Sequence, residues 1–192
     1  MKIAVFASGN GTDLQAIIDG CQAGLINAEV GVVISNNQEA YALVRAKANG
    51  IPHYHLDSKD FINQADFDNE LIKVLENHQI DLIFLAGYLK KISHKLIETY
   101  LIYNIHPALL PKYGGKGMYG INIHQAVIAA GEAMTGITIH QVSAEYDRGQ
   151  IIAQTEVPVQ ADDTPETLQG RVLEREHTFI VEILSKIVDT LN

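Results

Sequence analysis

Cysteine is nearly absent from this sequence, since Cys21 is the only one among 192 residues. A single cysteine cannot form an intrachain disulfide, nor supply the set of thiolates in a cysteine-rich zinc site. Long apolar runs are also absent, because Ser8, Gly9, Asn10 and Gly11 end the first hydrophobic segment soon after it begins. Signal peptides and membrane spans need longer segments. We therefore expect a cytoplasmic protein with no membrane partner.

Positive charge is scarce too. The chain has 14 Lys and Arg residues against 23 Asp and Glu residues, a formal net charge of -9, and no long basic run. Nucleic-acid binding uses a basic patch or stripe, so the sequence predicts small-molecule substrates and no nucleic-acid partner. Hydrophobic residues make up 47% of the chain, and its length suffices for one well-buried core. We expect residues 1–192 to form a single domain, as a monomer or a homodimer.

Short apolar segments alternate with helix-like segments through the first half of the chain. Residues 3–7, 28–35 and 80–86 are hydrophobic runs typical of buried strands, and residues 66–77 carry apolar side chains at helical spacing. Strands that alternate with helices favour parallel pairing, with helices on both faces of the sheet. The sequence therefore predicts an α/β fold with a doubly wound, mostly parallel sheet.

The last third of the chain has a different pattern. Residues 136–142 alternate between apolar and polar side chains, which predicts a half-exposed strand, and residues 151–159 are its expected antiparallel partner. Asp163, Thr164 and Pro165 are typical of a helix start, because proline is favoured at the first helical position. We therefore expect an antiparallel strand pair followed by a C-terminal helix.

The turn after the first strand contains Gly9 and Gly11 and leads into a helix. Backbone amides in such a turn, together with the helix N-terminus, can bind a phosphate group. The spacing is neither a dinucleotide-binding nor a Walker pattern, because a third glycine and a Gly-Lys-Ser/Thr sequence are both missing. The alternative is a plain glycine turn in which Thr12 or Asp13 caps the helix. The residues alone leave both interpretations open.

A strand that stops at a proline carries the best candidates for chemistry. Asn104 and His106 lie two positions apart at its end, directly before Pro107. Strand side chains alternate, so Asn104 and His106 should share one face. At the carboxyl end of a sheet, an amide and an imidazolium can stabilise the negative oxygen that develops in acyl transfer. Histidine can also move the proton.

Asp147 is the carboxylate that we expect to orient His106 and to raise its pKa. A serine or cysteine nucleophile is not evident, because Cys21 lies in the first helix and the sequence has no G-x-S-x-G elbow. His106, His140 and Asp147 resemble a metal-ligand set. We favour acid-base chemistry without a metal.

Two loops complete the expected site. Residues 87–93 place a glycine, a tyrosine and two lysines after a central strand, which suits a flat ligand with an acidic tail. Residues 112–120 contain four glycines in nine residues, which predicts a mobile lid. His124 lies on the helix that follows, where it can face either the site or solvent, and we favour solvent.

These motifs resemble the folate-dependent formyltransferases along essentially the whole chain. The similarity is carried by Ser8–Thr12, Leu85–Lys90, Asn104–Pro111, Gly136–His140 and Asp147–Gly149. The string Asn-Ile-His-Pro-x-Leu-Leu-Pro is specific for these enzymes, and the flanking motifs select the phosphoribosylglycinamide formyltransferase group. The resemblance implies a Rossmann-like fold and a metal-free reaction in purine biosynthesis. In that reaction the co-substrate 10-formyltetrahydrofolate passes its formyl group to the amine of 5-phosphoribosylglycinamide through a tetrahedral intermediate.

The resemblance also implies roles for individual residues. Asn104 and His106 would stabilise the oxyanion, and Asp147 would keep His106 protonated and help to relay protons. Glu176 would bind the glycinamide end of the substrate. The substrate phosphate would lie against Gly11, Thr12 and Asp13, and the folate would lie against Leu89, Lys90, Lys91, Ile92 and Asn104.

Several positions depart from the usual pattern of this family. Asp13 stands where asparagine is common, which places a carboxylate near a phosphate dianion. Leu173 stands where a substrate-contacting glutamine is expected, and Ala108 replaces a common serine. The lid at residues 112–120 is longer than in the familiar bacterial forms. Asp13 is therefore expected either to contact the substrate or to cap the helix.

Three other functions fit part of this pattern. Methionyl-tRNA formyltransferase would need a further domain and a basic surface. Formyltetrahydrofolate deformylase normally carries an N-terminal regulatory domain, whereas this chain starts directly on its first strand. A phosphate-binding module without catalysis would explain the glycine turn but would leave Asn104, His106 and Asp147 without a role.

Overall fold

The structure is a computed structural model that describes residues 1–191. Its strands are β1 (Lys2–Phe6), β2 (Glu29–Ser35), β3 (His53–His55), β4 (Leu82–Leu85), β5 (Leu101–His106), β6 (Met134–Gln141) and β7 (Ile151–Pro158). Its α-helices are α1 (Thr12–Gln22), α2 (Tyr41–Ala48), α3 (Gln64–Asn77), α4 (His94–Thr99), α5 (Ile121–Ala129) and α6 (Pro165–Leu191). The C-terminal helix begins at the predicted proline.

The strands form one sheet in the order β3-β2-β1-β4-β5-β6-β7. Strands β1 to β5 are parallel, and β6 and β7 are antiparallel to their neighbours. One hydrophobic cluster packs α1, α5 and α6 on one face of the sheet, and a second packs α3 and α4 on the other. Helices on both faces explain why β1 and β4 are continuous apolar runs rather than alternating ones. The predicted doubly wound, mostly parallel sheet with an antiparallel strand pair is confirmed.

The prediction that β6 is half exposed is wrong. Its residues from Thr135 to His140 are buried on both faces. The polar face is covered by the loop at residues 107–111, and Thr138 is the contact point. The Thr138 hydroxyl donates to the carbonyl of Ala108 at 2.6 Å and accepts from the amide of Leu110 at 3.1 Å. The alternation of apolar and polar residues in β6 therefore does not indicate exposure, because the polar side chain of Thr138 binds a neighbouring loop instead of water.

Strand β3 is an edge of the sheet, and His53 and His55 are exposed there. Among residues 1–191, no helix combines the length and the apolar character needed to cross a membrane.

Candidate active site

The carboxyl ends of β1, β4 and β5 meet at one edge of the sheet. The chain leaves β1 toward β2 on one side and later returns to β4 on the other, and this change of direction opens a crevice where ligands of α/β proteins bind. A cavity of about 610 Å³ occupies the crevice. Its walls come from the glycine turn, the 87–93 loop, the end of β5, the 112–120 lid, the loop before β7 and helix α6.

Most of the predicted site residues line this one cavity. They are Asp13, Leu89, Lys90, Lys91, Ile92, Asn104, His106, Asp147 and Glu176. Gly11 and Thr12 do not line it themselves but lie between two residues that do, Asn10 and Asp13. Residues spread over most of the sequence are thus brought together by the sheet topology.

Asn104 is oriented by the antiparallel pairing of β5 with β6. Asn104 lies opposite His140 in the register, and its side-chain nitrogen is 3.1 Å from His140 Nε2. The other ring nitrogen, Nδ1, is 3.0 Å from the carbonyl of Gln141 and donates to it. Nε2 is then the acceptor for the Asn104 amide. His140 therefore holds the amide in place, and the second side-chain N–H of Asn104, a residue that lines the cavity, has no hydrogen-bond partner among residues 1–191.

His106 is held between the lid and the loop before β7. Its Nε2 donates to the carbonyl of Tyr113 at 2.8 Å, and its Nδ1 lies 3.8 Å from Asp147 Oδ1. Burial lowers the pKa of His106 below its ordinary value and outweighs the opposing pull of Asp147 and of the Tyr113 carbonyl, while His140 lowers it further. The expectation of a raised pKa is wrong for this form, because 3.8 Å is too long for a strong charge-assisted hydrogen bond.

The His106 pKa gives a first testable prediction. In the ligand-free protein, an NMR titration should find this pKa below the ordinary histidine value of 6.5, because burial disfavours the charged ring. In Asp147→Asn it should be lower still, since the carboxylate is the main group that raises it. A wild-type value above 7, or no change in the variant, would contradict this description of the site.

Asp147 sits at the centre of the polar cluster. Its Oδ1 is 3.6 Å from His140 Nε2, and its Oδ2 accepts from the amide of Gly115 in the lid at 2.8 Å. Burial raises the pKa of Asp147, but His140, His106 and the Gly115 amide together outweigh it and hold the pKa below the usual value. Asp147 is therefore ionised at neutral pH and connects the two histidines to the lid.

The glycine turn has no side-chain cap. The N-cap of α1 is Gly11 in the left-handed conformation, with φ of 67°, and no side chain accepts from the first amides of the helix. The alternative in which Thr12 or Asp13 caps the helix is wrong. Those amides remain available to an anion at the end of the helix dipole. Arg45 supports the turn, since its Nε donates to the carbonyl of Asn10 at 2.8 Å.

Gly11 is required by space as well as by conformation. A Cβ at Gly11 would lie 2.8 Å from the Cα of Ala42, which is backbone of α2 and cannot move aside. We expect Gly11→Ala to weaken binding of a phosphate-bearing ligand about tenfold or more and to destabilise the fold by about 1–3 kcal/mol. Isothermal titration calorimetry and thermal melting measure the two effects.

Gly24→Ala is the matched control for that substitution. Gly24 has nearly the same φ, 71°, and nothing within 4 Å of a Cβ, so it shares the conformational cost without the collision. Gly24→Ala should leave phosphate affinity unchanged. Equal losses of affinity in both variants would show that the α1 turn has no special part in ligand binding.

The 87–93 loop has no regular secondary structure, and α4 starts only at His94. The amide of Leu89 donates to the hydroxyl of Ser8 at 2.9 Å, which ties this loop to the glycine turn. Lys90 pairs with Asp57 at 3.7 Å, and Lys91 lies 5.9 Å from the ring centre of Tyr146. The loop thus presents backbone, apolar side chains and two cations to the cavity.

The expectation that His124 faces solvent is wrong. His124 lines the cavity, its side chain is only 2% exposed, and its Nδ1 has no hydrogen-bond partner within residues 1–191. Burial and the nearby His106 lower the pKa of His124 to about 4. The signal available in the sequence was its position between Ile123 and Val127, which share the buried side of α5.

A second depression, among residues 1–191, lacks a comparable cluster of histidine, amide and carboxylate side chains. This more open depression of about 750 Å³ lies at the opposite edge of the sheet and contains Cys21, whose pKa burial raises to about 11. A thiol with so high a pKa is unreactive. Within residues 1–191, no group of three or more His, Cys, Asp or Glu side chains has the arrangement of a metal site.

The crevice of this doubly wound sheet contains an amide, a histidine and an ionised carboxylate. These groups define an α/β protein whose site has the chemistry that acyl transfer requires. A family model described as formyl transferase matches residues 1–184. The chain therefore belongs to the formyl transferase family.

Relatives with known names agree on the group within that family. A phosphoribosylglycinamide formyltransferase of Haemophilus influenzae is 43% identical over 92% of this chain and 82% of its own length. The chloroplastic enzyme of that name from Arabidopsis thaliana is 42% identical over 98% of this chain. A solved structure of the Bacillus halodurans phosphoribosylglycinamide formyltransferase matches with a TM-score of 0.92, at 34% identity over 100% of this chain and 97% of that one. The chain spans 65% of the Arabidopsis protein and 61% of a Vigna unguiculata relative.

Proposed function

We propose that this protein transfers the formyl group of 10-formyltetrahydrofolate to the amine of 5-phosphoribosylglycinamide in purine biosynthesis. The names of its relatives support this reaction. The observation that carries the proposal is that Asn104, His106 and Asp147 lie in one cavity that also reaches the glycine turn and the 87–93 loop. One cavity can then hold a phosphate at one end, a folate at the other and the reacting atoms between them.

The two substrates would enter from opposite ends. The substrate phosphate would bind the free amides at Gly11, Thr12 and Asp13, with Glu176 at the glycinamide part. The folate would lie along the loop residues Leu89, Lys90, Lys91 and Ile92, where exposed cations suit its acidic tail. This arrangement brings the amine and the formyl carbon together beside Asn104 and His106.

The reaction follows from the groups at that point. The amine attacks the formyl carbon and forms a tetrahedral intermediate whose oxygen becomes negative. The free N–H of Asn104 and a protonated His106 would donate to this oxygen, which is the stabilisation that accelerates acyl transfer most. Asp147 would accept the proton that the amine loses, directly or through water, and would pass it to the folate nitrogen as the bond between that nitrogen and the formyl carbon breaks.

His106 must be released from the lid before it can act. Its Nε2 is occupied by the carbonyl of Tyr113, and its Nδ1 faces Asp147. Movement of the 112–120 lid on substrate binding would free Nε2 for the oxyanion and shorten the distance to Asp147. A shorter distance and a developing negative oxygen both favour the charged imidazole, which offsets the lowered pKa of the free form.

Release of tetrahydrofolate, followed by absorbance, tests the proposal. We expect turnover with both substrates, and a rate at least a hundredfold lower when phosphoribosylglycinamide is omitted. Equal rates with and without the amine would identify a deformylase. Binding of the phosphate ligand with no turnover under either condition would identify the protein as a phosphate-binding module without catalytic activity.

We also propose the domain organisation, the cellular location and the oligomeric state of this protein. Residues 1–192 form a single formyltransferase domain, the protein acts in the cytoplasm, and it is a monomer or a homodimer. The net charge of -9 supports small-molecule substrates rather than nucleic acid.

A further inference from the structure

Two acidic side chains line the cavity beside the glycine turn, and a histidine approaches one of them from outside the lining. Asp13 comes from α1, and Glu176 and His177 come from α6. Asp13 Oδ1 lies 3.6 Å from His177 Nε2, and both atoms are buried without a hydrogen-bond partner among residues 1–191. Glu176 is only 7% exposed and lines the same cavity as Asp13. Unpartnered buried polar atoms are rare in proteins and call for a functional explanation.

The charges that face this cluster do not neutralise two carboxylates. Arg45 of α2 is the nearest cationic side chain of the turn, but it binds the Asn10 carbonyl and the Gln15 side chain. Glu174 of α6 adds negative charge near His177, and Lys116 of the lid lines the cavity without pairing with either acid. Within residues 1–191, neither Asp13 nor Glu176 has a Lys or Arg partner within 4.0 Å, so ionisation of both acids would leave negative charge buried and uncompensated.

The cluster therefore retains a proton near neutral pH. Burial raises the pKa of Asp13 to about 7, and burial together with the Asp13 carboxylate raises that of Glu176 well above its usual value. Burial and Arg45 lower the pKa of His177. Two neighbouring carboxyl groups in such a site do not both ionise, because each charge disfavours the other.

A phosphate bound at the α1 N-terminus would make the negative charge of an ionised Asp13 still more unfavourable. The free amides of α1 attract a dianion, yet an ionised Asp13 in the same turn of helix would repel it. A neutral carboxylic acid has the opposite effect, since its O–H can donate to a phosphate oxygen. The unfavourable carboxylate becomes a binding group as soon as it carries a proton.

We infer that Asp13 binds the substrate phosphate as a neutral carboxylic acid, so that binding of the dianion above neutral pH takes up one proton from solution. The inference rests on the phosphoribosyl substrate proposed above. The proton is transferred from buffer to the Asp13 carboxylate, and no other bond forms or breaks. Affinity for the phosphate should fall about tenfold per pH unit above the Asp13 titration, since one proton is required.

Isothermal titration calorimetry with ribose 5-phosphate at pH 8 tests this step, in buffers that differ in ionisation enthalpy. At pH 8 the phosphate ester is already a dianion, because its second pKa is near 6. The full-length wild type should take up about one proton per ligand bound. Asp13→Asn should take up none and should bind about tenfold more tightly than the wild type at this pH, because the amide is neutral and of the same size.

Glu176→Gln separates the two carboxyl groups. It should keep the proton uptake, because Asp13 is still ionised at pH 8 before the ligand binds. Loss of uptake in Glu176→Gln with retention in Asp13→Asn would assign the proton to Glu176 and overturn the inference. Equal uptake in wild type and Asp13→Asn, no uptake in the wild type, or no binding of ribose 5-phosphate would also overturn it.

This result is independent of the formyl-transfer assay. Proton-linked binding of ribose 5-phosphate without formyl transfer would support the role of Asp13 and contradict the proposed reaction. Formyl transfer with no proton uptake would support the proposed reaction and contradict the role of Asp13.

Discussion

Asp147→Asn is expected to lower turnover by about a hundredfold or more, with the affinity for the phosphoribosyl substrate changed by no more than about twofold. The substitution keeps the shape of the side chain but removes the negative charge that lies 3.8 Å from His106 and 3.6 Å from His140. Without this charge His106 is harder to protonate, and the amine proton loses its acceptor. The glycine turn lies on other elements, so phosphate binding should persist.

Asp60→Asn is the control for this variant, because Asp60 is an exposed carboxylate outside the cavity. It should retain the wild-type rate. An unchanged rate in Asp147→Asn would remove Asp147 from the mechanism. A loss of turnover accompanied by an equal loss of substrate affinity and a lower melting temperature would show a structural role through the lid, since Asp147 also binds the amide of Gly115.

His106→Ala should have the larger effect, a fall in turnover of about a thousandfold. The imidazole is the group that we expect to donate to the oxyanion and to move a proton, and alanine does neither. Substrate affinity should change less than turnover, because His106 interacts most strongly with the transition state. Steady-state kinetics that separate kcat from KM make this measurement.

His55→Ala provides the matched histidine control. His55 is exposed on the edge strand β3, far in the sheet from β5, and its removal should leave kcat unchanged. A fall in kcat of less than tenfold in His106→Ala would assign oxyanion stabilisation to other groups, Asn104 first among them.

The sheet and the position of Asn104 and His106 were predictable because both depend on local patterns. Continuous apolar runs of strand length indicated buried parallel strands, and the proline after His106 fixed the end of β5. The two side chains were expected on one face from the period of a strand, and both line the cavity. These features need no knowledge of distant residues.

The errors arose where a distant segment decides the environment. The polar side chains of β6 indicated solvent, but Thr138 binds the loop at 107–111. His124 lies with Ile123 and Val127 on the buried side of α5, and most of the other segments that line the cavity around it are distant in the sequence. The alternative of a Thr12 or Asp13 cap is excluded because Gly11, which approaches Ala42 of α2, is the N-cap in the left-handed conformation. Each case depends on tertiary contacts that local periodicity does not encode.

The His106 pKa illustrates a balance that sequence alone cannot decide. The partner was predicted correctly, since Asp147 does approach His106. The direction of the shift depends on how far burial outweighs that attraction, and here burial is the larger effect. Identifying a charge partner therefore does not determine a pKa without the distance and the degree of burial.

The fate of the formyl carbon tests the central claim most directly. The enzyme is mixed with phosphoribosylglycinamide and 10-formyltetrahydrofolate labelled with ¹³C in the formyl group, and the label is followed by NMR in the same tube. We expect the label to appear on the glycinamide nitrogen in step with tetrahydrofolate release, with no free formate at early times. Label that appears first or only as formate would contradict direct transfer in this cavity.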